Sequence, residues 1–338
     1  MGKENAFTST WLLKTENDPL AAIRGFLADL WQKAHLEGML VPLLGADLMS
    51  MKNTLIHDPA HLAQANPFVP VMRSNAGRLA AELVRSRPEA RMALVLKACE
   101  VRALSDLVER DDLDLTNWLV IGVDCLGCFP AKDFEWRVQN AGSIEALTRE
   151  VLRNAREGGI AIDRFRTACQ TCARPEPTRV DLCVDLIGLP VQDSLLISAR
   201  DDQLASRLEL GQITAGLAPE ELIREHKLVL KEIEDRRLRA RQRQIQEPVS
   251  GLPTNLDELT DFLLSHQPCT ECLEACPVLG EELVVAMQAG TLTHGLVKHW
   301  LMSCAECGMC EQACPKGLPI AAAMNRISRD LRQEPIAV

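Results

Sequence analysis

One stretch of the chain occurs twice. His266-Gln-Pro-Cys269-Thr-Glu-Cys272-Leu-Glu-Ala-Cys276-Pro277 recurs as Cys304-Ala-Glu-Cys307-Gly-Met-Cys310-Glu-Gln-Ala-Cys314-Pro315, and His266 against Cys304 is the ligand-type mismatch. A Cys-x2-Cys-x2-Cys-x3-Cys-Pro run wraps three thiolates around one 4Fe-4S cube and sends the fourth to a neighbouring cube. The two runs must therefore fold face to face. One cube takes Cys304, Cys307 and Cys310 plus Cys276; the other takes Cys269, Cys272 and Cys314, with His266 at its fourth position. Zinc sites or buried thiols are the competing reading. Zinc prefers separated Cys-x2-Cys or Cys/His pairs, so a three-plus-one spacing that ends in Cys-Pro argues against it. For His266 the competitors are a plain helix-end residue, a water ligand, and an incomplete, labile cube.

Thirteen cysteines in a chain whose Met1 to Asn5 lacks a secretory apolar core imply metal or redox chemistry in a reducing, cytoplasmic setting. No apolar run approaches the roughly 18 to 20 residues of a membrane span, so no membrane insertion is expected. A formal charge of −10 argues against general nucleic-acid binding, which needs a basic face. The basic run Arg236, Arg237, Arg239, Arg241 and Arg243 reads as a solvated helix face or docking strip.

With 338 residues, 47% of them hydrophobic, about two domains with real cores are expected. Residues 1 to 10 are polar and read as frayed, and Asp18-Pro19 opens a helix. Met39 to Leu44 reads as a strand and His57 to Pro70 as a surface loop. The clearest unit is a strand at Arg91 to Lys97, a helix from Glu100 to Arg110 and a strand at Trp118 to Asp124, which implies a right-handed parallel crossover. Cys99, Cys125 and Cys128 then face the crevice at the carboxyl ends of these strands. Ser143 to Glu157 reads as a helix and Arg179 to Gly188 as a strand containing Cys183, a buried thiol. Pro219 to Gln246 reads as a solvated connecting helix, and Pro248 to Pro253 as the best boundary. Thr254 with Asp257 resembles a capping box, and helices are expected to about Ser265, at Glu281 to Ala289, after Thr293 and from Pro319. The expected division is a helical and strand segment at 1–67 packing on an α/β domain, 68–217, a charged helix and linker at 218–251, and a helical domain at 252–338. The fold class is an α/β domain with a partly parallel sheet, followed by an all-α dicluster ferredoxin domain.

On its cysteine runs, the stretch from about 252 to 335 resembles the α-helical ferredoxin modules of heterodisulfide reductase and succinate dehydrogenase iron-sulfur subunits. Lys97-Ala-Cys99-Glu-Val-Arg102, Ile121-Gly-Val-Asp-Cys125, and Cys169-x2-Cys172 followed by Asp181-Leu-Cys-Val-Asp185-Leu-Ile-Gly188 carry a second resemblance, over about 68 to 215. That stretch is similar to the beta subunits of deazaflavin-reducing hydrogenases and formate dehydrogenases. Ala98 stands where the family more usually has proline, and Cys128 is extra.

The second resemblance implies FAD, at least one 4Fe-4S cube, and electron exchange between a hydride carrier and a metal-centre partner. Cys99, Cys125, Cys128, Cys169 and Cys172 compete for four positions on a third cube. The resemblance favours the set without Cys128, whereas spacing alone pairs Cys125 and Cys128 with Cys169 and Cys172, which zinc knuckles would also satisfy. No Gly-x-Gly-x-x-Gly follows a strand, so a Rossmann-type site is not supported. The candidate flavin contacts are the turn Arg73-Ser74-Asn75-Ala-Gly77-Arg78, whose helix N–H groups offer a phosphate cradle, with Lys97 and Arg102 flanking the Cys99 loop. Each is otherwise a plain cap or surface charge. No constellation suggests hydrolysis, and no catalytic residue is assigned.

The expected function is an iron-sulfur flavoprotein subunit of a formate dehydrogenase, hydrogenase or heterodisulfide-reductase-type complex. It would partner a catalytic subunit of such a complex and take electrons from deazaflavin or NAD(P)H. The alternatives are a flavin-free iron-sulfur adaptor between larger redox subunits and a zinc-stabilised scaffold.

Overall fold

A computed structural model describes residues 7–47, 49–159, 164–247 and 251–332. Met1 to Asn5 and Pro248 to Ser250, on which the leader and boundary expectations partly rest, lie outside them. Apolar runs of β-branched residues and leucine build seven strands: β1 (Ser9–Lys14), β2 (Gly38–Leu44), β3 (Met51–Ile56), β4 (Met92–Lys97), β5 (Trp118–Val123), β6 (Leu182–Asp185) and β7 (Ser194–Ala199). They form one sheet in the order β1-β7-β6-β5-β4-β2-β3. The four inner strands β2, β4, β5 and β6 run parallel, flanked by antiparallel β3 on one edge and on the other by β7, antiparallel to them, and then β1, antiparallel to β7.

Helices cover both faces, as a parallel sheet requires. Those of this region are α1 (Pro19–Lys33), α2 (Ala76–Ser86), α3 (Ala98–Asp111), α4 (Ala131–Ala141), α5 (Ile144–Leu152), α6 (Thr167–Gln170), α7 (Asp202–Arg207) and α8 (Leu210–Ile213). Alternation along each strand decides which face is served. Leu94 and Leu96 of β4 and Val120 of β5 pack with α2 and α3, while Ala93, Val95, Leu119 and Ile121 pack with α1, α4 and α5. The expected β4-α3-β5 unit is present, and β4 and β5 pair in parallel.

Three expectations fail here and one strand was missed; the expected surface loop at His57 to Pro70 holds a 3-10 helix, Pro59–Gln64, and is buried over 65–70. The segment expected to fray runs into β1, which pairs with β7 from Ser9↔Ala199 to Lys14↔Ser194. β3 was not anticipated because Lys52, Asn53 and Thr54 mask its strand character, yet it pairs along nearly the whole of β2. The long helix α9 (Glu220–Gln246) is not simply solvated: His226, Leu230, Ile233, Arg237 and Ile245 are buried.

The C-terminal region is helical: α10 (Leu256–Ser265), α11 (Glu271–Glu274), α12 (Gly280–Gln288), α13 (His294–Met302), α14 (Met309–Ala313) and α15 (Ile320–Arg332). The opening cap of α10 lies one residue later than expected. The capping side chain is that of Asn255, which accepts from the Glu258 N–H at 2.9 Å, and Thr254 donates to the Glu258 carboxylate through both its N–H and its hydroxyl. Leu259, Leu283, Val297, Trp300, Leu301 and Ile327 form the core of this region, which Ala103 of α3 joins.

Candidate functional site

In the C-terminal region α11 and α14, which carry Cys272 and Cys310, pack against each other and bring the two cysteine runs together. The Cys276 thiol is the electrostatic neighbour of Cys304, Cys307 and Cys310, whereas Cys272 neighbours Cys269 and Cys314. Cys310 also neighbours Cys272, so the thiols of the two runs lie close together. Local donors serve the sulfurs: the Trp300 indole N–H donates to Cys276 Sγ at 3.2 Å, and the Glu306 N–H to Cys304 Sγ at 3.4 Å. Burial pushes the thiols up, Cys304 to about 12 and Cys307 and Cys272 to about 11. Such sulfurs become thiolates only against a bound cation, so the donor set fits a metal cluster.

His266 ends α10. Its Nδ1–H donates to the Phe262 carbonyl at 2.8 Å and its ring lies on Phe262, centroids 4.0 Å apart. This fixes the tautomer and puts the ring lone pair on Nε2, as in metal-bound histidines.

The central cysteines come from four places: the first turn of α3 for Cys99, the loop after β5 for Cys125 and Cys128, α6 for Cys169, and the turn beyond it for Cys172. All five line one cavity. Cys128 hydrogen-bonds to both Cys125 and Cys169 and is itself pushed well up by them. Its hydrogen bond lowers Cys125 to about 7 and Cys169 further still. Cys128 thus sits between the other two sulfurs, in contact with both.

Three guanidinium groups surround these sulfurs. Arg102 donates to the carbonyls of Ala305 at 3.0 Å and Arg174 at 2.9 Å, with Cys172 Sγ at 3.8 Å. Arg166, 7% exposed, reaches Cys169 Sγ at 3.6 Å, Met72 Sδ at 3.8 Å and Met309 Sδ at 3.6 Å. Arg237, 2% exposed, donates to the Leu126 carbonyl at 2.6 Å. The Nε atoms of Arg166 and Arg237 have no partner among the described residues. Burial weighs against both charges at Arg102 and Arg166, but the thiols of Cys172 and Cys99 around the first, and of Cys169, Cys128 and Cys99 around the second, outweigh it. Unmatched buried cations are costly, so this cavity calls for an anionic occupant, which a cube ligated by thiolates supplies.

The basic run read as a solvated strip is partly consumed here. Arg237 lines the cavity, and Arg241 forks onto Glu306. Glu306 lies between Cys304 and Cys307 and lines the central cavity along with Cys307. Burial would raise its carboxyl, yet Arg174, Arg241 and Arg102 hold it down at about 2. Gly308, at φ 65°, sits where an added Cβ would lie 2.4 Å from Ala168 Cβ, so the second cysteine run lies directly against α6.

A second cavity, of about 350 Å³, is lined by Lys52, Asn53, Arg73, Ser74, Lys97 and Glu100, with Met51, Val69, Val71 and Met72 as apolar walls. Of the expected flavin contacts, Ser74 and Lys97 line it. Asn75 caps α2 instead, accepting from the Gly77 N–H at 2.8 Å and donating to the Cys99 carbonyl at 3.3 Å. Gly77 is a packing position, since an added Cβ would lie 2.6 Å from Ala103 Cβ. The N–H of Ala76 is taken by Glu100 at 3.2 Å, so the first turn of α2 is not the open cradle expected. Arg102 points to the cysteines. Lys52 and Asn53 were missed because β3 was, and Arg73, the first residue of the expected turn, lines the cavity as well. Met72 lines both cavities, so one side chain separates them.

No family model matches the chain. It is 20% identical over 344 residues to the F420-dependent formate dehydrogenase subunit beta of Methanocaldococcus jannaschii, across 92% of this chain and 89% of that protein. The fold is similar to a chain of the F420-reducing [NiFe] hydrogenase complex from Methanosarcina barkeri, with a TM-score of 0.53 at 11% identity, over 71% of this chain and 91% of that one. No helix among the described residues is long and apolar enough to cross a membrane.

Proposed function

We propose that the chain is an electron-transfer subunit of an oxidoreductase complex, passing electrons between a hydride carrier, deazaflavin or NAD(P)H, and a metal-centre partner. The observation that carries this reading is a five-thiol cavity ringed by arginines, sharing Met72 as a wall with a cavity of about 350 Å³. That volume lies in the roughly 300 to 1,000 Å³ range of small-molecule sites. Likeness to a formate dehydrogenase beta subunit supports the same class of role.

In this reading Cys99, Cys125, Cys169 and Cys172 hold the central cube, and Cys128 lies beside two of them, its backbone N–H donating to Cys169 Sγ at 3.4 Å. Cys276, Cys304, Cys307 and Cys310 hold a second cube, and Cys269, Cys272, Cys314 and His266 a third. Lys52, Arg73 and Lys97 supply positive charge to a FAD in the larger cavity, with Ser74 as a hydroxyl donor. When bound, FAD converts two-electron hydride traffic into single electrons. Glu306 and Arg241 keep the helical region seated on the central cavity, and Arg102 ties Cys172 to the Ala305 carbonyl. The partner is a catalytic subunit of a formate dehydrogenase, hydrogenase or heterodisulfide-reductase-type complex.

Counts of iron, acid-labile sulfide and flavin on anaerobically isolated protein test this. Iron and sulfide in equal amounts with one FAD support it, and zinc without sulfide overturns it. Because Glu100 already occupies an N–H group of α2, a flavin-free adaptor stands as the second reading. Cubes without extractable FAD would favour it.

A further inference from the structure

A separate set of ionisable groups, three buried and one half-buried, lies at the carboxyl ends of β5 and β6. Asp124 follows β5, Asp185 ends β6, Glu176 lies in the approach to β6, and His226 projects from α9. Asp124, Asp185 and His226 are 3%, 1% and 4% exposed. Glu176, Asp185 and His226 each offer a ligand atom within 4.8 Å of the others, as do Asp124, Cys183 and Asp185.

We propose that Glu176, Asp185 and His226, with Asp124 beside them, bind one divalent first-row transition metal ion, distinct from the cysteine-held centres. Three observations converge. First, Oδ1 of both Asp124 and Asp185 is buried without a hydrogen-bond partner among the described residues, although the other oxygens are used: Asp185 accepts from the Ser198 hydroxyl at 2.6 Å, and Asp124 from the Leu186 N–H at 3.2 Å. A buried carboxylate oxygen left bare is costly, and an ion satisfies it. Second, the Nδ1–H of His226 donates to the Ile187 carbonyl at 2.8 Å, which presents Nε2 3.8 Å from Glu176 Oε1. A backbone carbonyl on the far nitrogen is what orients a metal-bound imidazole. Third, three carboxylates face one imidazole, two of them buried, and a divalent ion would neutralise that surplus of acidic groups.

One imidazole with carboxylate oxygens suits manganese, iron or zinc, whereas the cysteine sets select softer chemistry. The ion would pin α9 to β6 behind the central cavity.

Manganese(II) is the probe, because thiolates hold it poorly. The anaerobically isolated full chain is titrated with manganese while the free ion is followed by electron paramagnetic resonance, and iron and sulfide are counted on the same samples. The expected result is one tightly held ion per chain, lost or weakened about tenfold or more in Asp185→Asn and in His226→Gln, with iron and sulfide unchanged. No manganese bound by the wild type, or equal binding by both variants, overturns the proposal. Should either variant fail to fold, the wild type decides: manganese must raise its melting temperature, and no rise overturns the site.

Discussion

Arg241 and Glu306 form a two-pronged pair, Nη2 to Oε1 at 2.8 Å and Nη1 to Oε2 at 3.2 Å, between the long helix α9 and the loop of the second cysteine run. Both side chains are largely shielded from water. Removing one partner leaves the other charge stranded, at a cost of about 3 to 5 kcal/mol for a buried pair. Glu306→Ala should therefore lower the melting temperature of the anaerobic protein and expose α14 to hydrogen exchange ahead of the sheet. Unchanged exchange in α14 would remove the clamp from the account.

Arg166 offers positive charge to the central sulfurs with almost no water to screen it. A unit charge about 6 to 8 Å from a redox centre at an effective dielectric of about 20 contributes roughly 2 to 3 kcal/mol, on the order of 100 mV for one electron. Arg166→Gln should lower the midpoint of the central cube by that order and move the cube holding Cys269 and Cys272 much less. An anaerobic redox titration followed by electron paramagnetic resonance reads both.

Cys125 and Cys128 should part company on substitution. Cys128→Ser keeps a donor toward Cys125 and Cys169, so the iron count should hold. Cys125→Ser removes a ligand and should cost about one cube's worth of iron. Equal iron loss in the two variants would show that Cys128 is itself a ligand.

Reversing the charge of Arg73 should weaken flavin binding without touching the metal. Charge-assisted hydrogen bonds contribute about 1.5 to 3 kcal/mol, so Arg73→Glu should reduce FAD affinity roughly tenfold to a hundredfold while iron and sulfide stay constant. Retention of FAD at wild-type affinity would move the flavin out of this cavity.

His266→Ala should alter only the cube held by Cys269, Cys272 and Cys314. If the resonance signals of both C-terminal cubes are untouched, the imidazole is no ligand.

The parts of the fold that could be read in advance were those with a local signal. β4, α3 and β5 announce themselves by apolar runs and a helical stripe, and the paired cysteine runs by an unambiguous spacing. What escaped was decided by tertiary pairing. β3 carries Lys52, Asn53 and Thr54 and becomes a strand because β2 offers it an edge, and β1 does so because β7 does. Arg237 and Arg241 look like neighbours in a charged strip, yet the rotation of α9 turns one into the five-thiol cavity and the other onto Glu306. Of the expected flavin contacts, Gly77 and Arg102 were drawn from sequence proximity to Cys99 or to the turn before α2, and proximity along a chain does not fix direction.

The bare Cα of Gly308 lets the second cysteine run lie close against Ala168, and so, on the proposed reading, would let its cube approach the central one. Electron tunnelling decays exponentially with separation, so a methyl group inserted there would act as a spacer in the wire. On the proposed reading, a missing side chain at one position would set the step between sheet and helices.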